Sequence, residues 1–282
     1  MSLEITTMKA LRPFSLIVAL STCGLGVSLA LIEGFHDLSL AGLVLLAGML
    51  LQISVNLIND QRDINNRNLN QQQRLTIQKN TRLGLVIMLI AIALGLYMVS
   101  IRGWPLLLLG CIGVFGAWGY TGGQINYKDR GLGILLVFFF MGILLIGGSY
   151  YTVSGIYHWN ILFLSLPFSL LSSLLLLSNE LRDYEEDLAD GIRTLSVRLG
   201  YNVGVKLYYW MVALLYFISV LLYQAGILHG VVILLITVFA LWQPMKLLRA
   251  PRSDRILLAP LTGRFYLIYS LAYLATIWFP QI

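Results

Sequence analysis

Charge is what this sequence has least of. Asp, Glu, Lys and Arg make up only 11% of its 282 residues, while 58% are hydrophobic and the mean hydropathy is +0.81. Soluble domains carry about 25% charged residues, so a soluble globule of this length is excluded. Cysteine is nearly absent: Cys23 and Cys111 both sit inside apolar runs, which rules out a disulfide scaffold and a cysteine metal site. The three histidines, His36, His158 and His229, are far apart and read as interfacial residues rather than as one metal site. The period-2 alternation of an outer-membrane barrel is also missing. No basic tract of the kind that binds nucleic acid stands outside the membrane pattern, and no long polar extension is present in which a separate soluble activity would reside.

What is present is a succession of apolar runs of about 15 to 24 residues, the length that crosses a hydrocarbon core of roughly 30 Å as helix. Nine spans are predicted, near 14–33, 40–58, 83–101, 104–119, 134–153, 160–178, 207–225, 229–247 and 265–280. Lys and Arg favour cytoplasmic loops, and nine spans with a cytoplasmic N-terminus put 18 of the 19 Lys and Arg on that side, leaving only Arg102 outside. Lys9 and Arg12 precede the first run as they would in a signal peptide, but the run is long and lacks a small-residue cleavage site, so it is read as a retained span. An integral protein of a bacterial inner membrane is the expectation.

The loops after spans two and six are long and polar, and they resemble each other. The first begins NLINDQRD, with Asn56, Asp60 and Asp63; the second reads SNELRDYEEDLADGIRTLSVRLG, with Asn179, Asp183 and Asp187. In each, an Asn precedes an Asp by four residues and a second Asp follows three or four later, so on a helix the three side chains share a face. Four spans separate the clusters, which suggests two four-helix halves plus a ninth helix in a single domain, residues 1–282. Carboxylates at the mouth of an apolar bundle are costly without a partner. An all-oxygen set of this kind suits Mg²⁺ that shares its remaining positions with a phosphate-bearing substrate. Arg182, Arg193, Arg74 and Lys128 lie in the same loops and are placed to hold diphosphate oxygens.

The segments LRPFSL at 11–16, LLQISVNLINDQRD at 50–63, YTGGQINYKDRGLG at 120–133 and NELRDYEEDLADGIRTLSVRLG at 179–200 resemble the UbiA-type intramembrane prenyltransferase superfamily. Within it they resemble the 1,4-dihydroxy-2-naphthoate prenyltransferases of menaquinone biosynthesis. The resemblance implies an all-α polytopic fold: nine transmembrane helices in a ring around a central cavity, under cytoplasmic cap loops. It implies transfer of a prenyl group from a polyprenyl diphosphate to an aromatic small-molecule acceptor at the bilayer. Asp60 and Asp63 would then hold one Mg²⁺ and Asp183 and Asp187 another, with Asn56 and Asn179 in support; the four aspartates are the expected catalytic residues. Arg182 and Arg193 would contact the diphosphate or pair with the aspartates, and Lys128, Arg74, Tyr120 and Arg12 would contact the diphosphate. Two Mg²⁺ would neutralise the leaving diphosphate, and aromatic faces, drawn from Tyr120, Trp118, Phe138, Tyr208 and Tyr209, would stabilise a developing carbocation.

Three departures from the family pattern bear on the substrate. Arg67 stands where the first signature has a further Asp, the Gly-Pro stretch that follows it in naphthoate enzymes is absent, and Ile134 stands where an acid follows GLG. Exchange of a carboxylate for a cation alters local charge by about two units, enough to weaken one metal position unless Arg67 pairs with diphosphate. The alternatives are therefore a paralogue that prenylates another small molecule or cyclises the prenyl diphosphate, and a catalytically silent partner subunit. Ion-coupled transport would also place Asp and Asn in a membrane, but here none of them lies near the middle of a span.

Overall fold

In lipid a chain must satisfy its own amides, and apolar runs of this length do so as helices. The computed structural model describes every residue except 1–5, 60, 62–63, 65–68, 122–126 and 280–282, and among the described residues it has no strand. Its long helices are α1 (Pro13–Ile32), α2 (Leu38–Asn59), α3 (Gln71–Arg102), α4 (Trp104–Thr121), α5 (Gly133–Ser154), α6 (Trp159–Arg182), α7 (Tyr201–Gln224), α8 (Val231–Leu247) and α9 (Arg255–Trp278). Among the described residues, seven are long and apolar enough to cross a membrane. The shorter apolar helices Trp104–Ala117 and Val231–Leu247 stand at the expected fourth and eighth spans.

Each helix packs on the next, and α9 returns to α1, so the bundle closes on itself. The helices are not equivalent. In α6, 78% of the most apolar window is buried inside the protein, against 22% in α2 and 17% in α3. α6 touches α1, α5, α7 and α9, and its sequence suits that place. Ser165, Ser169, Ser172, Ser173 and Ser178 are all buried. Most of these hydroxyls donate to carbonyls of their own helix, while Ser173 reaches the Ile134 carbonyl of α5 at 2.9 Å and Ser172 meets the Tyr266 hydroxyl of α9 at 3.3 Å. Small residues allow this approach: a Cβ on Gly142 would lie 1.9 Å from Ser169 Oγ, so any side chain there would separate α5 from α6. On the far side of α6, Tyr208 bonds Thr262 at 2.9 Å, Tyr216 bonds Thr237 at 2.7 Å, and Tyr273 donates to the Leu164 carbonyl at 3.0 Å. Buried phenols thus find partners across helices in a region without water.

Three of the differences from the sequence reading have a local reason. α3 begins at Gln71, well before the apolar run at 83, because Asn70 and Gln73 form a reciprocal capping box and the stretch that follows buries Ile77 and Asn80. α8 passes through a 3₁₀ stretch, Thr237–Leu241, just before Pro244, whose ring crowds the carbonyl one turn back and whose nitrogen has no proton to donate. α5 widens into a π-helical stretch, Phe138–Leu144, where Gly142 meets Ser169. The loop after α6 is also more ordered than a polar loop, since it contains two short helices, Tyr184–Ala189 and Leu195–Leu199.

Candidate active site

The cap after α6 is built on one turn. α6 ends at Arg182, and Asp183 terminates it with its amide on the Asn179 carbonyl at 3.0 Å. The same Asp183 begins the next helix, accepting the Asp187 amide at 2.8 Å, so the two aspartates stand on consecutive turns. Arg182 grips Asp183 through both carboxylate oxygens, at 2.7 and 2.6 Å, in a pair about one-third exposed. Asn179 turns its amide back to the Leu175 carbonyl at 2.8 Å, which fixes the rotamer and leaves its oxygen without a hydrogen-bond partner among the described residues.

Asp187 is half-buried in a crowded acidic neighbourhood. Burial raises its pKa to about 6; Lys128 pulls the other way, and the charges of Asp183, Asp190 and Glu186 add to the rise. A carboxylate that resists ionisation because it is half-buried beside other carboxylates is one that a divalent cation would relieve, and its oxygens suit Mg²⁺. Among the described residues no three His, Cys, Asp or Glu side chains come together as a metal site. Asp60 and Asp63, expected to complete the set, lie outside the described residues, as does Arg67, and so do the side chains of Trp118 and Tyr120.

The cap is held down by residues that the sequence reading passed over. Glu180, buried at the end of α6, accepts both the amide and the hydroxyl of Ser196, at 3.0 and 3.1 Å, and thereby caps the helix Leu195–Leu199. Arg198 donates to the Asp129 carbonyl at 2.6 Å and to the Arg193 carbonyl at 3.0 Å. It joins the α4–α5 loop, which carries Lys128, to the second cap. Gly131 fits beneath it at φ 73°, where a Cβ would lie 2.8 Å from the Arg198 side chain. Arg255, 5% exposed, pairs with Glu185, donates to the Leu181 carbonyl at 3.2 Å and lies 4.4 Å from the centre of the Tyr201 ring. Although desolvation opposes it, this contact holds Glu185 below the usual carboxylate range. Arg252 reaches Glu186 at 2.8 Å on the exposed side.

The other expected residues fall in different places. Asn56 is 4% exposed and its amide is fully engaged: it donates to the Leu11 carbonyl and Ser15 Oγ, both at 2.7 Å, and accepts from Gln52 at 2.9 Å. Those bonds tie α2 to the start of α1. Arg12, exposed, precedes Pro13 at φ 47° and accepts the Ser15 amide and hydroxyl on its carbonyl. Arg74 is exposed in the first turn of α3, and Arg193 is exposed between the two short cap helices. Ile134 is buried in the core with its carbonyl bonded to Ser173, so packing occupies the position where the family carries an acid. Tyr208 is fully buried against α9, Phe138 is half-buried with its ring edge-on to Phe139, and Tyr209 lines a cleft behind the cap.

Residues 19–268 match the model of the UbiA prenyltransferase family. A 1,4-dihydroxy-2-naphthoate octaprenyltransferase from Escherichia coli is 31% identical over 263 residues, covering 86% of this chain and 81% of that protein. Among solved structures, the apo form of a UbiA homologue from Aeropyrum pernix superposes with a TM-score of 0.66 at 16% identity, covering 95% of this chain and 98% of that one. A UbiA homologue from Archaeoglobus fulgidus bound to GPP and Mg²⁺ superposes with a TM-score of 0.57, again at 16% identity, over 94% of this chain and 86% of that one. With a family match over most of its length, and a ring of membrane helices of the same fold, the chain belongs to the UbiA prenyltransferase family.

Proposed function

We propose that the chain is an Mg²⁺-dependent enzyme that transfers a polyprenyl group from its diphosphate to an aromatic acceptor of the 1,4-dihydroxy-2-naphthoate kind. The observation that carries this reading is the acidic turn Asp183–Asp187, in which one aspartate caps α6 and is held by Arg182 and the other stands half-buried one turn on. Asp183 and Asp187, with Asp60 and Asp63 from the first cap, are the ligands in this proposal, and Asn179 lends its unengaged oxygen. Asn56 is assigned instead to positioning, because its amide is engaged between α2 and α1. Mg²⁺ held there would supply positive charge to the diphosphate that leaves with the electron pair of the allylic C–O bond.

The chain's own residues do the rest. Arg182, which holds Asp183, would offer its guanidinium to a diphosphate oxygen, and Lys128 would meet the same group from the α4–α5 loop. Arg193, with Arg74 and Arg12 from the first-cap side and Tyr120 from the end of α4, completes the anion contacts. Both caps face the cytoplasm of a bacterial inner membrane, which the distribution of Lys and Arg supports, and the eight helices α1–α8 form two pseudo-repeats with α9 added.

The test is turnover by the purified full chain in lipid nanodiscs with a radiolabelled polyprenyl diphosphate. Prenylated naphthoate should form only when both Mg²⁺ and the acceptor are present. Diphosphate release without acceptor would reassign the chain to cyclisation. Absence of both turnover and Mg²⁺-dependent prenyl diphosphate binding would make it a silent partner.

A further inference from the structure

Behind the second cap, away from the aspartates, a cleft of about 630 Å³ opens between the start of α7 and the connection from α8 to α9. Tyr201, Asn202, Lys206, Tyr209, Arg249 and Arg255 line it, and neither Asp183, Asp187, Arg182 nor Lys128 does. Its volume is that of a small-molecule site. Its charge is one-sided, because no carboxylate is among its lining residues. Two acids of the cap are already matched, Glu185 with Arg255 and Glu186 with Arg252, and Asp254 of the α8–α9 connection accepts from Ser253 and is not among the lining residues. Lys206 and Arg249 therefore stand exposed without a counter-charge among the described residues.

The floor is fixed: the Tyr201 hydroxyl donates to the Leu248 carbonyl at 2.8 Å, and Arg255 lies over its ring. The cleft sits where α7 begins and α8 ends, at the polar ends of apolar spans, the depth of lipid headgroups. One turn further into the span from Lys206, Trp210 is exposed, as an aromatic residue at the interface would be.

We propose that this cleft binds the phosphodiester headgroup of an anionic phospholipid, with Lys206 and Arg249 on the phosphate oxygens and Tyr209 alongside the glycerol. Fixed cations at an interface attract anionic lipid, and a walled cleft turns that attraction into a site. Since Arg255 forms both the floor of the cleft and the tie to Glu185, an occupied cleft also supports the cap.

The test is lipid retention by the full chain in native mass spectrometry, using phosphatidylglycerol, phosphatidylcholine and inorganic phosphate as separate probes. The wild type should retain one phosphatidylglycerol in preference to phosphatidylcholine. A Lys206→Ala/Arg249→Ala variant should bind it about thirtyfold more weakly, the equivalent of about 2 kcal/mol. A Lys206→Arg/Arg249→Lys variant should keep it. Both cations are exposed and make no side-chain hydrogen bond among the described residues, so an unchanged melting temperature is the control. Equal retention by the double-alanine variant, or no preference between the two lipids, overturns the proposal. Retention of inorganic phosphate in place of phosphatidylglycerol would assign the cleft to a free anion and overturn the lipid identity.

Discussion

The two Asn-to-Asp junctions look alike in sequence and are wired differently. At the end of α2, Asn56 is buried and bonded across to the first turn of the chain's first span. At the end of α6, Asn179 is half-buried and bonded only to its own helix, while Asp183 four residues on is held by Arg182. The ties beyond its own helix at that second junction fall on the carboxylates Glu180 and Glu185, whereas among the described residues the first is tied through the amides of Asn56 and Gln61, the latter accepting from Thr81 at 3.0 Å. A repeated spacing therefore reports that the same side chains arrive at the same end of the bundle, not that they carry the same load. The burial contrast points the same way. α6 is packed on several sides and needs its cap pinned by neighbours, whereas α2 is mostly half-buried and its end is tied across to the start of α1 by the Asn56 amide.

The comparison breaks most visibly if Asn56 and Asn179 are exchanged for alanine in turn. Asn56→Ala removes three hydrogen bonds, taking the donor from the part-buried Leu11 carbonyl and Ser15 Oγ and the acceptor from the Gln52 amide, so it should cost about 2–3 kcal/mol, read as an early melting transition in detergent. Asn179→Ala should cost less than about 1 kcal/mol, because only a bond to its own helix is lost. If the two variants melt together, the junctions are equivalent after all. A smaller effect is expected at Glu180→Ala, about 1–2 kcal/mol, since the amide of Ser196 loses its acceptor. Limited proteolysis should then cut faster between residues 190 and 195, and an unchanged cleavage rate would show that Glu180 does not hold the cap. The smallest effect belongs to Arg252→Ala. Its pair with Glu186 is exposed, so stability should stay within about 0.5 kcal/mol of wild type, a value that denaturant titration resolves.

How much of this could be read beforehand depends on the range of the interaction. The apolar runs show themselves because lipid demands long unbroken stretches, and α1, α2, α4, α5, α6 and α8 were found near their expected limits, whereas α7 and α9 begin at Tyr201 and Arg255, before the expected 207 and 265. The start of α3 was missed because hydropathy ends at the membrane while the helix does not: Asn70 and Gln73 cap a polar extension that a capping-box search would have found. The aspartates of the second cap were legible from local spacing. Arg255 was not, since in sequence it is one of several cations in a basic loop and its partner Glu185 lies 70 residues away. Glu180 stands between Asn179 and Arg182 in the signature but about 100° around the helix from Asn179, and so escaped a search for one shared face.

The central claim is that the acidic turn of the second cap holds a divalent cation for the diphosphate. It is tested most directly by comparing prenyl transfer in Asp183→Asn and Asp187→Asn with wild type across a Mg²⁺ titration, in folded protein of equal melting temperature. The account predicts that each variant loses about hundred- to thousandfold in kcat, the scale on which lost stabilisation of developing charge is felt. It predicts also that added Mg²⁺ recovers part of that loss. Wild-type transfer by either variant, with an unaltered Mg²⁺ dependence, would contradict it.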